Sequence, residues 1–550
     1  MTKDQLMDIY SKNGVRGLIL EGVLSGRGAS YDDTQIKSRV KATEEKNTVQ
    51  DQAIQNLDQE MIQSDQTIQS IISKNTDQDQ QITTIIQKNV AQDQSINQLT
   101  TAIQVVNQKN DSQDLILTAL TRYDSQMVVP WGDSRSAQNW NTNTNPAAVL
   151  ARSWLWWFEL LSQRVRVNVD YMQGVSGDKM SDLLTRIQND TVPTGGFGTK
   201  KPSEVPPCIA AVMCWTNSVN AGVPLDTLVS QTNQVLDYLL SKGHKVMLIA
   251  EWPRGASGST DGSLTADNQK LLLATHNALL KIRRKDVFIV DVWPRVADPA
   301  SVNAYPLPNM LNPDNLHNSP GIAMITGQEM TRVAIEEMKL PRLKMTTSSN
   351  TDQYDLNLQP QGCLNTNPML ITSGGTLGAN ATGSAPLGYT LSASAGLSVA
   401  GSFVTTVLPD GSKRKAFRMV ITGTPTSANG YASLRQSGIL SKVSVNDILE
   451  SHYEVFVADG HSNFGSPGIM IDTGLASTRA HGGLSLTGDN IVPTEAVRSF
   501  YGVPRSADLN IGSTLPASIS FEMRAYTTVA NVAASLTMDI LSSGLRKKKQ

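Results

Sequence analysis

Cysteine, aromatic side chains and unbalanced charge are all scarce in this 550-residue chain. The three cysteines, Cys208, Cys214 and Cys363, form no paired framework and no metal-ligand spacing. Cys208 and Cys214 bracket the apolar run 209–213, where a thiol behaves as a small hydrophobe, so no structural disulfide, zinc site or cofactor is expected. A formal net charge of -2 provides no cationic surplus for a polyanion, and a nucleic-acid partner is not expected. Long apolar runs are missing too: the stretch around Leu18, Ile19 and Leu20 is broken by Arg16 and Glu21, and the first residues are polar. Neither membrane insertion nor a secretory signal is predicted, and synthesis in a cytoplasm without export by the usual route is the corresponding expectation. Aromatics make up only 5% of residues, yet Trp154, Trp156 and Trp157 fall in one helix-like stretch, which reads as a helix buried against a sheet.

What the sequence does have is a repeat. Ile54/Leu57, Ile68/Ile71, Ile82/Ile85 and Ile96/Leu99 follow one another at two-heptad intervals, and Ile103/Val106 and Leu117/Leu120 keep the register. An apolar seam recurring every 3.5 residues must supercoil to keep facing its partner, so 35–125 is predicted to be a coiled-coil stalk. Ile at most a sites with Ile or Leu at d favours a homotrimer. The same register carries Asn47/Gln50, Asn75/Gln78, Asn89/Gln92 and Asn110/Gln113, polar layers that specify register at a cost in stability. Such rings either hydrogen-bond as amides or hold an anion or water on the axis. A helix over this span is ~130 Å long, the length of a spacer.

From residue 126 the pattern alternates. Strand-like runs at 127–130, 164–171, 209–214, 245–250 and 287–292 are separated by helix-like runs at 147–162, 179–188, 225–241, 269–283 and 321–338. This alternation predicts a parallel sheet covered on both faces, with chemistry beyond the carboxyl ends of the strands. Gly132-Asp133-Ser134 follows the first strand, and Asp314 and His317 precede the last helix. A serine hydroxyl needs an imidazole to take its proton and a carboxylate to orient that imidazole. Ser134, His317 and Asp314 are residue types that fill these roles, while Asp133 reads as a structural hydrogen-bonding residue. Gly174-Val-Ser-Gly177-Asp178 and Trp215-Thr-Asn217-Ser218 offer candidate oxyanion donors. His244 reads as a surface turn residue and His276 as one face of a helix.

The order of these four segments over 128–340 resembles the blocks of the SGNH (GDSL-type) hydrolases. The resemblance implies a three-layer α/β domain over 126–342 with Ser134 as nucleophile, His317 as base and Asp314 behind it. It implies an oxyanion hole built from Ser134, Gly177 and Asn217, with no metal. The third block departs from the family's Gly-x-Asn-Asp, since Trp215 replaces the glycine and Ser218 the aspartate.

Beyond about residue 343 the composition shifts to Gly, Ser, Thr and Ala with short alternating runs at 403–408, 416–422, 453–458 and 519–526. These predict an antiparallel β-sandwich, jelly-roll-like, over 343–550, serving carbohydrate binding or trimerisation. His452 and His461 read as loop residues, and Arg546-Lys-Lys-Lys549 as a solvated tail. Stalk, esterase and β domain together resemble a bacteriophage tail fibre or tailspike. That resemblance implies a virion protein whose segment 1–34 attaches to a baseplate or tail protein. It implies action on a capsule or O-antigen polysaccharide at the bacterial surface, as a deacetylase or, alternatively, as a non-catalytic receptor-binding fibre.

Overall fold

The computed structural model describes residues 33–72, 94, 126–141, 148–195, 198–256, 262–343, 347–475, 479–486, 489, 492 and 498–548. Two compact units are present, 1–111 and 112–550. In the first, α1 (Asp33–Ile72) is a single helix of 40 residues. The apolar side chains Val49, Leu57, Met61 and Ile62 are exposed on it. The heptad layers from Asn75/Gln78 onward, and nearly all of segment 1–34, lie outside the described residues.

The second unit opens with an α/β layer built on a six-stranded parallel sheet. Its strands are β1 (Met127–Gly132), β4 (Arg166–Val167), β5 (Gln173–Gly174), β6 (Ile209–Met213), β7 (Lys245–Ile249) and β8 (Val287–Val290), in the order β4-β1-β6-β7-β8 with β5 also beside β1. A short hairpin, β2 (Trp140–Asn141) with β3 (Ala148–Val149), stands apart from the sheet. Strand β6 is buried along its whole length, which requires cover on both faces. Gly132 is obligatory where β1 passes β6: its φ is +157°, and a Cβ there would lie 1.7 Å from the Met213 carbonyl oxygen. The helices are α2 (Ser134–Ala137), α3 (Trp154–Ser162), α4 (Met180–Asn189), α5 (Thr216–Asn220), α6 (Leu225–Ser241), α7 (Ala266–Leu279), α8 (Trp293–Val296) and α9 (Pro320–Glu336).

Two expected elements are shorter than their patterns. Helix α3 begins at Trp154 and not at 147, because Ser153 caps it by accepting the Trp156 N–H at 3.0 Å. The strand expected over 164–171 pairs only at 166–167; Asn168 then accepts the Asp170 N–H and turns the chain into a 3₁₀ helix.

Residues beyond 370 form two further sheets, mostly antiparallel. One contains β10 (Ala381–Gly383), β12 (Leu397–Val407), β13 (Lys413–Gly423), β15 (Ile448–Val457), β18 (Phe500–Gly502), β19 (Leu509–Asn510) and β21 (Ala534–Lys547). The other contains β9 (Thr376–Leu377), β11 (Thr390–Ala393), β14 (Tyr431–Gln436), β16 (Phe464–Asp472), β17 (Arg479–Gly482) and β20 (Ser520–Thr527). Phe417 and Met419 from the first sheet and Leu434 and Phe521 from the second are buried in one core. His452 is not a loop residue: it lies inside β15, fully buried, and burial together with nearby arginines holds its imidazole far below the usual range. His461 follows a turn but is buried edge-on against Phe464. Nor are the C-terminal basic residues a free tail, since Arg546, Lys547 and Lys548 pair with Asp352, Asp447 and Asp508.

The tryptophan-rich helix joins these parts. Trp154, Trp156 and Trp157 are wholly buried, and α3 packs chiefly on α9, with β4 of the parallel sheet and β18 also against it. Trp157 meets Phe500 edge-on at 5.6 Å, and the Trp156 indole N–H donates to Ser466 Oγ at 3.0 Å. The Val503 N–H donates to the Leu160 carbonyl, and Arg166 and Arg505 both reach Glu450, at 3.0 and 3.2 Å.

Candidate active site

The strand ends bring the four motif segments together. Asp133 caps α2 by accepting the Arg135 N–H at 2.9 Å, which places Ser134 at the first helical position just past β1. Ser134 is nearly buried. Its Oγ lies 2.9 Å from His317 Nε2, and His317 Nδ1 lies 2.6 Å from Asp314 Oδ2. The second Asp314 oxygen accepts the backbone N–H groups of Leu316 and His317 at 3.0 and 2.9 Å. Partial burial pushes the Asp314 carboxyl up, but the hydrogen bonds from His317 and these two N–H groups outweigh it and hold the group well below the usual carboxylate range. Asp314 is therefore an anion that fixes the tautomer and orientation of the imidazole, and Nε2 faces the Ser134 hydroxyl.

Gly177 has a φ of +88°, and a Cβ placed there would meet nothing within 4 Å, so the backbone faces open space. Among the described hydrogen bonds, neither the Ser134 nor the Gly177 N–H is engaged by a protein acceptor. Asn217 Nδ2 donates one proton to the Asp178 carbonyl at 2.9 Å, which leaves its second for another acceptor. The segment around Gly177 is fixed below by Arg186, which pairs with Asp178 and donates to the Gln173 carbonyl.

Both departures in the third block have structural roles. Trp215 has an ordinary negative φ, and its indole N–H donates to Thr232 Oγ1 at 2.9 Å inside the core. Ser218 Oγ accepts the Met180 N–H at the start of α4. His244 departs from its sequence reading: it is buried, edge-on to Trp131, and its Nδ1 accepts the Cys208 N–H. Burial lowers its pKa to about 4, so it is a neutral packing element.

Sequence spacing did not reveal the buried charges beneath the nucleophile. Arg135, fully buried, pairs with Glu251 at the end of β7 and lies over the Trp252 ring. Arg254 donates to Thr216 Oγ1 at 3.0 Å and to the Gly262 carbonyl at 2.8 Å, tying the Asn217 helix to the segment that packs on Asn315. Burial raises the Asp133 pKa to about 7 against the pull of Arg135.

No family model and no curated protein matches the chain. Solved structures do resemble part of the chain. A protein described as lipolytic, of the G-D-S-L family, from Desulfitobacterium hafniense DCB-2 is 17% identical over 38% of this chain and 99% of its own, with a TM-score of 0.28. A GDSL-like lipase from Bacteroides thetaiotaomicron VPI-5482 is 13% identical over 39% of this chain and 87% of its own, at 0.26. An acetyl xylan esterase is 15% identical over 37% and 97%, also at 0.26.

Proposed function

We propose that the chain is a serine esterase of SGNH type. The hydrogen-bonded series Ser134 Oγ, His317 Nε2, His317 Nδ1, Asp314 Oδ2 carries this reading, at 2.9 and 2.6 Å. Ser134 Oγ attacks the ester carbonyl carbon while His317 Nε2 takes its proton. The oxyanion accepts from the Ser134 and Gly177 N–H groups and from the unused Asn217 proton. His317 then protonates the departing alcohol oxygen; water, deprotonated by His317, attacks the acyl carbon, and the acid leaves as the bond to Ser134 Oγ breaks and His317 returns the proton to that oxygen. No step requires a cofactor.

The wider setting is a homotrimeric phage tail fibre or tailspike. The heptad seam, of which Leu57 is 60% exposed on the single helix, supports a trimeric stalk. On this reading the substrate is an O-acetylated capsule or O-antigen polysaccharide and the product acetate. The alternative is a non-catalytic receptor-binding fibre, to which the departures Trp215 and Ser218 would point; their side chains bond to Thr232 and to the Met180 N–H, which supports the catalytic reading. Acetate release from a panel of purified bacterial polysaccharides, beside turnover of a chromogenic acetate ester, tests the proposal. Turnover of the small ester without acetate from any polymer would overturn the substrate class, and no turnover of either would overturn the enzyme.

A further inference from the structure

The residue after the nucleophile grips the base from both sides. Arg135 Nε donates to the Leu316 carbonyl at 3.0 Å, and the Arg135 carbonyl accepts from Asn318 Nδ2 at 3.0 Å. Leu316 and Asn318 are the two neighbours of His317. The guanidinium is held in turn by Glu251, whose own carbonyl lies 2.8 Å from His276 Nδ1, and His276 stacks on Trp293 at 4.5 Å. We propose that Arg135 is a positioning residue for the ester reaction, setting the distance between Ser134 and His317 by fastening the 314–318 loop to the nucleophile helix.

Stability gives no reason for a buried arginine here. Removing two charges from water costs several kcal/mol per ion, and apolar replacements of such pairs are often neutral or stabilising. The pair is also incompletely satisfied: Arg135 Nη2 and Glu251 Oε2 are buried with no protein partner among the described residues. What an apolar side chain cannot supply is a directional donor aimed at the Leu316 carbonyl. A guanidinium provides that donor while its other arm holds Glu251.

The proposal rests on the esterase reading and is tested in the full chain with Arg135→Met/Glu251→Leu and Arg135→Lys. Melting temperature, kcat and KM on a chromogenic acetate ester, and the downfield proton resonance of the His317–Asp314 hydrogen bond are measured for each. The double variant is expected to melt at or above the wild type, with kcat reduced about 10- to 100-fold, KM little changed and the resonance shifted or lost. Arg135→Lys keeps a charge opposite Glu251 but loses the Nε donor, and should show the same kcat loss even if the double variant does not fold. A folded variant with kcat within about twofold of wild type and the resonance in place overturns the proposal. Absence of turnover by the wild type counts against the esterase reading alone; the resonance then decides whether Arg135 positions the loop.

Discussion

Ser218 Oγ accepts the backbone N–H of Met180 at 2.9 Å, and its neighbour Asn217 reaches the Asp178 carbonyl at the same distance. The turn bearing Asn217 is thereby joined to the segment bearing Gly177 by two bonds, one made by a residue that seemed a defect in the motif. Ser218→Ala should lower kcat by only about threefold to tenfold, whereas Asn217→Ala, which on the proposed mechanism removes an oxyanion donor, should lower it ~10²–10³-fold with little change in KM. Steady-state kinetics on an acetate ester separate the two.

Ser134→Ala should abolish turnover and leave the far-ultraviolet circular dichroism unchanged. His317→Ala should be nearly as severe, because residues that act as a unit are not additive. Undiminished hydrolysis by either variant would remove the serine mechanism.

Asp133 makes stability depend on pH. Its pKa is raised to about 7 in the folded chain, from an ordinary value of 3.8, chiefly by burial. Between those values the unfolded chain ionises while the folded chain keeps the proton, so this group's contribution is complete below pH 4 and is lost as pH rises toward 7. Asp133→Asn keeps an acceptor for the Arg135 N–H and removes the titration. Its melting temperature relative to wild type should therefore climb from pH 4 to pH 8, and a pH-independent difference would refute the account.

Glu450 works in the opposite direction. Burial raises its pKa, but Arg505 and Arg166 outweigh burial and bring it to about 2, below the ordinary 4.5. Glu159 is near the same arginines, and burial nonetheless prevails there and raises it to about 7; Glu450 makes ion-pair contact with both. The stability Glu450 supplies is present above pH 4.5 and disappears as pH falls toward 2. Glu450→Gln should melt lower than wild type at pH 7 and approach it near pH 3 by calorimetry.

The proposed trimeric stalk predicts a stable trimer at micromolar concentration in sedimentation equilibrium, and Ile68→Asp combined with Ile82→Asp should dissociate or misfold it. A wild-type monomer would refute the assembly.

Local pattern made part of this legible. Ser134, Gly177, Asn217, Asp314 and His317 are legible as candidates because they fall in four short segments in a recognisable order, the first three after strand-like runs and the last two before the final helix. Arg135 and Glu251 are not, since 116 positions separate them and no spacing rule links a residue in one turn to the end of a distant strand. His244 reads as a surface turn residue and His452 as a loop residue because local composition does not report what a neighbouring strand or sheet lays over them. The same holds for the basic C-terminus, whose carboxylate partners come from three separate segments. Helix α3 looked like an ordinary cover for the sheet because its sequence is apolar all round; that it has a second client was visible only in three dimensions.

That second client constrains how the gene can be rearranged. Between the α/β layer and the β sheets lies the segment 341–350, where a recombination breakpoint would seem harmless on paper. Yet Trp156 donates to Ser466 and Trp157 rests on Phe500. An α/β layer exchanged at that point would arrive with indoles shaped for a neighbour it had left behind, so inheritance should move the two parts as one cassette.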